Sequence, residues 1–271
     1  MSNMTHAQGM KKVLGLSLLV WATFGLAKET GFTTHTELGY VSTSGNTDTT
    51  SGSLDFVGKK KWDKHSVQLD IDYLYSEQDG IENNNKLISE LNYDYQFADD
   101  FAFNYLVGYK DNKFSGFDYQ FYTGPGIKYD AIKNEVHTLA LKGNIVYSVD
   151  EGTDKYYDAT GTEIKYPYVD PSKDSATTIV AGETNKYSSY LLEGSYAWNI
   201  TKSFKFIQDL SYRGSFESSD TYFVHSKTGV SSKINSIFSM GLNYKIDYTN
   251  LPPAGNVRTD KTFTASLIID Y

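Results

Sequence analysis

Several stretches of the chain alternate apolar and polar residues with a period of two, and no other feature restricts its folding as strongly. In "VQLDIDYLY", Val67, Leu69, Ile71, Tyr73 and Tyr75 fall on one side and Gln68, Asp70 and Asp72 on the other. "LISELNYDYQF" sets Leu91, Tyr93 and Tyr95 against Glu90, Asn92 and Asp94, and "FSMGLNYKIDY" sets Leu242, Tyr244 and Ile246 against Asn243, Lys245 and Asp247. A helical period would mix Tyr with Asp on one face, so these segments are strands with one apolar and one charged side. A soluble sandwich turns such apolar faces inward, whereas an outer-membrane barrel turns them to lipid and its charged faces to the lumen. The runs extend over about nine to eleven residues, the length of a tilted membrane strand, against about five or six in ordinary sheets. Tyr and Trp gather near their ends, as Tyr196 and Trp198 do, where interfaces place amphipathic rings. The pattern predicts an all-β, transmembrane, antiparallel up-and-down β-barrel.

About twelve strands are expected, centred near residues 38, 55, 71, 92, 105, 124, 143, 194, 208, 228, 242 and 267. Those near 55 and 228 are rich in Ser, Thr and Gly. Connectors alternate in length: 98–100, 199–203 and 233–236 are short, while 77–85, 110–118 and 249–260 are longer. Short periplasmic turns and long outer loops give this rhythm. Residues 150–186 form a connector far beyond ordinary loop length, which points to an extracellular flap or a plug. "TGPG" at 123–126 lies inside a strand, where Pro125 must break a ladder bond, and a bulge or bend is expected. The last strand, "FTASLIIDY", ends on its own alternation at Tyr271. That residue is expected to close the barrel and to serve as an assembly signal for the barrel-assembly machinery.

At the other end, Lys11 and Lys12 precede the apolar run 13–27, which finishes on Gly25, Leu26 and Ala27. A basic region, an apolar core and a small-residue cleavage site read as a signal peptide, residues 1–27, with Met10 a candidate start. The competing reading, a membrane anchor, needs about 20 apolar residues, more than this run holds. The domain division is thus a signal peptide followed by a barrel over 28–271 with the long loop 150–186. The sequence has no cysteine, so an exported chain of this kind folds without disulfides. Its formal net charge of −8 argues against a nucleic-acid partner.

Little in the chain suggests catalysis, and the expectation is a protein that is not an enzyme and takes no cofactor. His35, His65, His137 and His225 are scattered rather than set at metal-ligand spacing, so no metal site is expected. His137 faces lipid beside Leu139 and Leu141, the geometry an outer-membrane lipid hydrolase would use, but no serine or orienting partner can be identified for it from sequence. "SGNTDTTSG" lacks the carboxylate spacing of a calcium loop and reads as a hairpin turn.

"GYVSTSGNTDTTS" (39–51), "KWDKH" (61–65), "DNKFSGFDYQ" (111–120), "KFIQDLSY" (205–212) and "PPAGNVRTDKTFTASLIIDY" (252–271) together resemble the salt-induced outer membrane proteins, YdiY-like, a family of uncharacterised function. The resemblance runs in order along nearly the whole mature chain and departs most at 150–186. It implies a barrel in the outer membrane of a Gram-negative bacterium, tied to salt or osmotic conditions, and it supplies no catalytic residues.

The functional surface that remains is the lumen. Alternation turns Asp70, Asp72, Glu90, Asp94, Lys110, Lys128, Lys142, Glu193, Arg213, Lys245 and Asp247 inward, as candidate selectivity residues. The four acidic residues on the third and fourth strands are expected to form one patch, and inward positions such as Asn92 and Asn104 to tolerate an added charge. Two readings follow: a narrow, porin-like channel for ions or small polar solutes, or a structural or loop-mediated interaction barrel whose charges pair and fill it. A lipid hydrolase is a more distant third. The expected partners are outer-membrane lipid, the assembly machinery and the permeating solutes.

Overall fold

The computed structural model describes residues 31–44, 48–165, 176–253 and 255–271. The signal-peptide reading of 1–27 lies outside them. Among the described residues, twelve antiparallel strands close into a barrel. They are β1 (Phe32–Thr43), β2 (Thr49–Trp62), β3 (His65–Gln78), β4 (Ile81–Gln96), β5 (Phe101–Asn112), β6 (Phe117–Lys133) and β7 (His137–Gly152), then β11 (Thr184–Asn199), β12 (Phe204–Ser215), β13 (Tyr222–Lys233), β14 (Phe238–Thr249) and β15 (Thr259–Asp270). Each pairs with its neighbour in sequence, β7 with β11 across the long connector, and β15 returns to β1. Every expected strand centre falls within one of these strands, the Ser- and Thr-rich β2 and β13 included.

The strands are longer than the apolar alternation suggested, between 12 and 17 residues. Ladder pairing carries on beyond the lipid-facing band at the end with the longer loops, so part of what reads as loop is strand. The clearest case is 77–85, where β3 and β4 meet in a two-residue turn, Asp79 at φ 50° and Gly80 at φ 76°. Successive positive φ values match the right-handed twist of a hairpin, and Asp-Gly is a pair that tolerates them. At Pro125 the ladder lapses as expected, but without a bulge. The β5 ladder runs through it (Tyr105↔Pro125), and the β7 ladder lapses only locally before resuming in the same register at Gly126↔Asn144. No bulge forms there; the register shifts of β6 lie at Phe117/Tyr119 and Asp130/Ile132.

The outer wall is apolar: Leu91, Ile127, Leu141, Ile145, Leu210 and Met240 are all exposed on it. Rings border this wall at both ends. Trp62 stacks on His65, Phe101 on Tyr129 and Trp198 on His137 at the short-turn end. Tyr190, Tyr212 and Tyr222 stack in series at the long-loop end. An apolar wall between two aromatic girdles is the surface a barrel presents to a bilayer, and loop length marks the turn end as periplasmic. Among the described residues, no helix is long and apolar enough to cross a membrane; this chain crosses with strands.

Within the long connector, β8 (Lys155–Tyr157), β9 (Glu163–Ile164) and β10 (Thr178–Val180) form a small sheet in the order β10-β8-β9. The turn from β8 to β9 is built on Asp158. The Thr160 hydroxyl (2.6 Å) and the backbone N–H groups of Thr162 (2.9 Å) and Thr160 (2.8 Å) donate to its carboxylate and hold its pKa below the ordinary range.

Candidate functional site: the charged lumen

The inner wall follows from strand parity: a residue facing inward brings its cross-strand partners inward too. Registry therefore sets like charges side by side. Asp55 on β2 pairs with Asp72 on β3, Asp70 with Glu90, Lys128 with Lys142, and Lys227 with Lys245. Like neighbours in a sheet repel. The repulsion is relieved from across the lumen: Lys245 Nζ donates to both Asp55 and Asp72 at 2.6 Å, and Lys227 Nζ reaches Glu37 at 2.9 Å and Asp55 at 3.6 Å. An acidic pair on β2 and β3 thus faces a lysine pair on β13 and β14. Contacts of this length require a lumen narrow enough for side chains from different walls to touch.

The other sequence-derived residues sit in similar sets. Lys142 lies 2.9 Å from Glu193 and donates to Asn92 at 3.2 Å, while Lys128 lies 3.4 Å from Asp94, which also accepts from Asn104 at 2.6 Å. Asn144 donates on to Asn104 at 2.7 Å, so Asn92, Asn104 and Asn144 form a packed amide ladder. Lys110 is 3.6 Å from Asp247. Glu90 accepts from the Tyr122 hydroxyl at 2.5 Å, and Asp70 from Gln68 at 3.0 Å. The single acidic patch expected on β3 and β4 is therefore subdivided. Asp72 and Asp94 have lysine partners, whereas Asp70 and Glu90 make their direct hydrogen bonds to neutral groups.

Sequence reading missed Glu37, Asp55, Lys86, Asp150 and Lys227. Glu37, Asp55 and Lys227 lie on strands whose small polar residues blur the alternation, and Lys86 and Asp150 border segments read as loops. Lys86 on β4 donates to Asp247 on β14 at 2.8 Å. Asp150 accepts from Gln120 (3.0 Å), Tyr187 (2.5 Å) and Arg213 (3.1 Å). His137 does have an orienting partner, since its Nδ1 lies 2.8 Å from the Tyr196 hydroxyl, while its ring stacks on Tyr196 and Trp198.

Among the described residues, one cavity opens at the barrel's mouth and another lies inside it. The outer one, about 960 Å³, is walled by the long connector through Lys155, Tyr156 and Lys165, by Pro252 and Pro253, and by Asp150, Tyr187 and Phe223 at the strand ends. The inner one, about 390 Å³, is lined by Asp55, Asp70, Asp72, Glu90, Lys110, Lys142, Glu193, Arg213, Lys227 and Asp247, among others. Beside it, Leu106, Val146 and Leu191 form a small buried apolar cluster against Tyr122, which fills part of the lumen.

A closed twelve-strand barrel, apolar outside and charged within, defines a transmembrane β-barrel protein of the bacterial outer membrane. A family model described as "Protein of unknown function, DUF481" matches residues 36–271, and the chain belongs to that family. No curated protein matches the sequence. Among solved structures, the chain is similar to the NanC porin, with 9% identity over 88% of this chain and 99% of that one and a TM-score of 0.47. It is also similar to the translocator domain of the autotransporter NalP from Neisseria meningitidis (8% identity, 98% and 97% of the two chains, TM-score 0.48) and to the KdgM porin (7%, 89% and 99%, 0.41). These are likenesses of barrel shape alone.

Proposed function

We propose that the protein is a narrow outer-membrane channel for ions or small polar solutes. The observation that carries this reading is the succession of two cavities, an outer vestibule and an inner chamber, the second lined by charged side chains of both signs. Charged rings in a confined path sort solutes by charge as well as size. The resemblance to salt-induced outer membrane proteins supplies the setting, changing salt or osmotic conditions. Hydrolysis is no part of this reading, because among the described residues His137 Nδ1 meets the Tyr196 hydroxyl and no serine hydroxyl is hydrogen-bonded to the ring.

A second reading rests on the contacts that span the lumen. Lys86–Asp247 and Lys245–Asp72 tie well-separated walls together, as they would in a structural barrel that conducts nothing. Planar-bilayer recording with the purified, folded protein separates the two. Discrete conductance steps support the channel, and a folded protein that inserts without passing current supports the structural barrel.

A further inference from the structure

We infer that Arg213 is the gate of the pore, a single side chain that divides the vestibule from the inner chamber; the inference rests on the channel reading. Arg213 lines the chamber, its partner Asp150 lines the vestibule, and Phe223 lines both, so the Arg213–Asp150 contact lies on the boundary between the cavities. These residues come from β12, β7 and β13, close to the outer ends of their strands. Arg213 places a positive charge at that boundary.

The way the side chain is held is unusual for a buried arginine. Nη2 donates to Asp150 Oδ1 at 3.1 Å, but Nη1 is buried and finds no hydrogen-bond partner among the described residues. The remaining support comes from rings: the guanidinium carbon lies 4.4 Å from the Phe223 ring centre and 5.0 Å from that of Tyr122. Ring faces attract a guanidinium without fixing it in one direction, as a second bidentate partner would. An arginine held by one carboxylate and two ring faces can leave its place by breaking one hydrogen bond. Structural buried arginines have their donors satisfied, since an unmade bond is costly. Here one carboxylate and two ring faces are the partners of Arg213 at the boundary between the cavities.

Two consequences follow. Removing the side chain joins the cavities, and removing its charge lowers the barrier to cations at the boundary. The test uses the purified mature protein in planar bilayers, with heat-modifiable gel mobility to establish that each variant is folded. Arg213→Ala is expected to raise single-channel conductance severalfold and to move the reversal potential in a salt gradient toward cations. Arg213→Lys, which keeps the charge but loses the planar stack, is expected to raise conductance less and to keep the original selectivity. If Arg213→Ala does not fold, Arg213→Gln carries the same two readouts. A wild type that is silent beside a conducting Arg213→Ala supports a gate closed at rest. Conductance and selectivity unchanged in Arg213→Ala overturn the gate and leave the channel reading standing. Silence of the wild type and of every folded Arg213 variant overturns both.

Discussion

Lys86 on β4 and Asp247 on β14 meet at 2.8 Å, although the two strands lie on nearly opposite sides of the barrel. Removing one partner of a buried pair typically costs about 3–5 kcal/mol, because the other is left uncompensated. Asp247 keeps Lys110 at 3.6 Å and His225 at 3.0 Å, so Lys86→Met is expected to cost less, about 1–3 kcal/mol. The loss should appear as a lower temperature for the shift between folded and unfolded gel mobility. The double change Lys86→Met, Asp247→Leu should recover part of it. A single variant as heat-resistant as the parent would show that the pair does not brace the barrel.

Leu91 is 46% exposed on the outer wall, and Arg near the membrane midplane costs about 2–4 kcal/mol there. Leu91→Arg should therefore reduce folded barrel, whereas Leu91→Phe should not. Asn92→Arg is expected to be harmful too, for a different reason. Asn92 is buried between Asn104 and Lys142, and a larger cation there meets both a full space and a like charge. Denaturant titration in detergent would distinguish the cases, and an Asn92→Arg protein of wild-type stability would mean that the amide ladder is loosely packed.

Gly108 lies directly beneath the Tyr122 ring, and a Cβ there would clash with it. Gly108→Ala must push that ring aside, disturbing its hydrogen bond to Glu90 and its contact with Arg213. The expected outcome is a folded barrel with altered conductance. Identical single-channel records for variant and parent would disconnect Tyr122 from the path.

Asp70 and Glu90 are adjacent in the β3–β4 ladder, and their direct hydrogen bonds come from Gln68 and Tyr122 rather than from lysine. Changing them to Asn and Gln should lower cation preference and leave the amount of folded protein unchanged. Asp72→Asn should do less to selectivity, since it mainly unbalances Lys245. The effect of the double change should shrink at high salt, with a Debye length of about 10 Å at 0.1 M. Reversal potentials across a salt gradient are the measurement, and an unmoved potential would place selectivity elsewhere.

Tyr271 extends the closing strand: its N–H donates to Thr34 at 2.9 Å, and its carbonyl accepts from Thr34 at 2.7 Å. Deleting it is expected to leave export intact while lowering the yield of heat-modifiable barrel. Undiminished folded protein in the outer-membrane fraction would count against an assembly role.

The barrel was legible in the sequence because a half-lipid, half-water wall imposes a period of two that few other structures sustain. Even β2 and β13, short of large apolar residues, were placed by their spacing between neighbours. Alternation also says which way Asn92, Asp94 or Lys142 points. It says nothing about what lies opposite, since the partner of Lys245 is set by barrel diameter and stagger, and those emerge only when twelve strands close. That is why the acidic patch seemed unbroken from sequence, whereas Asp55 and Lys227 were hidden by the small polar residues that blur the alternation of β2 and β13. Strand ends were misjudged where polar residues continue the ladder beyond lipid, as around Asp79 and Gly80.

The line where the cylinder closes is short. β1 and β15 are paired in the ladder over four positions, His35–Leu38 against Asp270–Leu267, with Thr34 and Tyr271 adding a fifth, whereas β1 and β2 are paired over twelve. A tube with one brief join has a built-in line of rupture. Pulled from its C-terminus, as a single molecule on a cantilever, this barrel should part first between β15 and β1 and then peel away hairpin by hairpin.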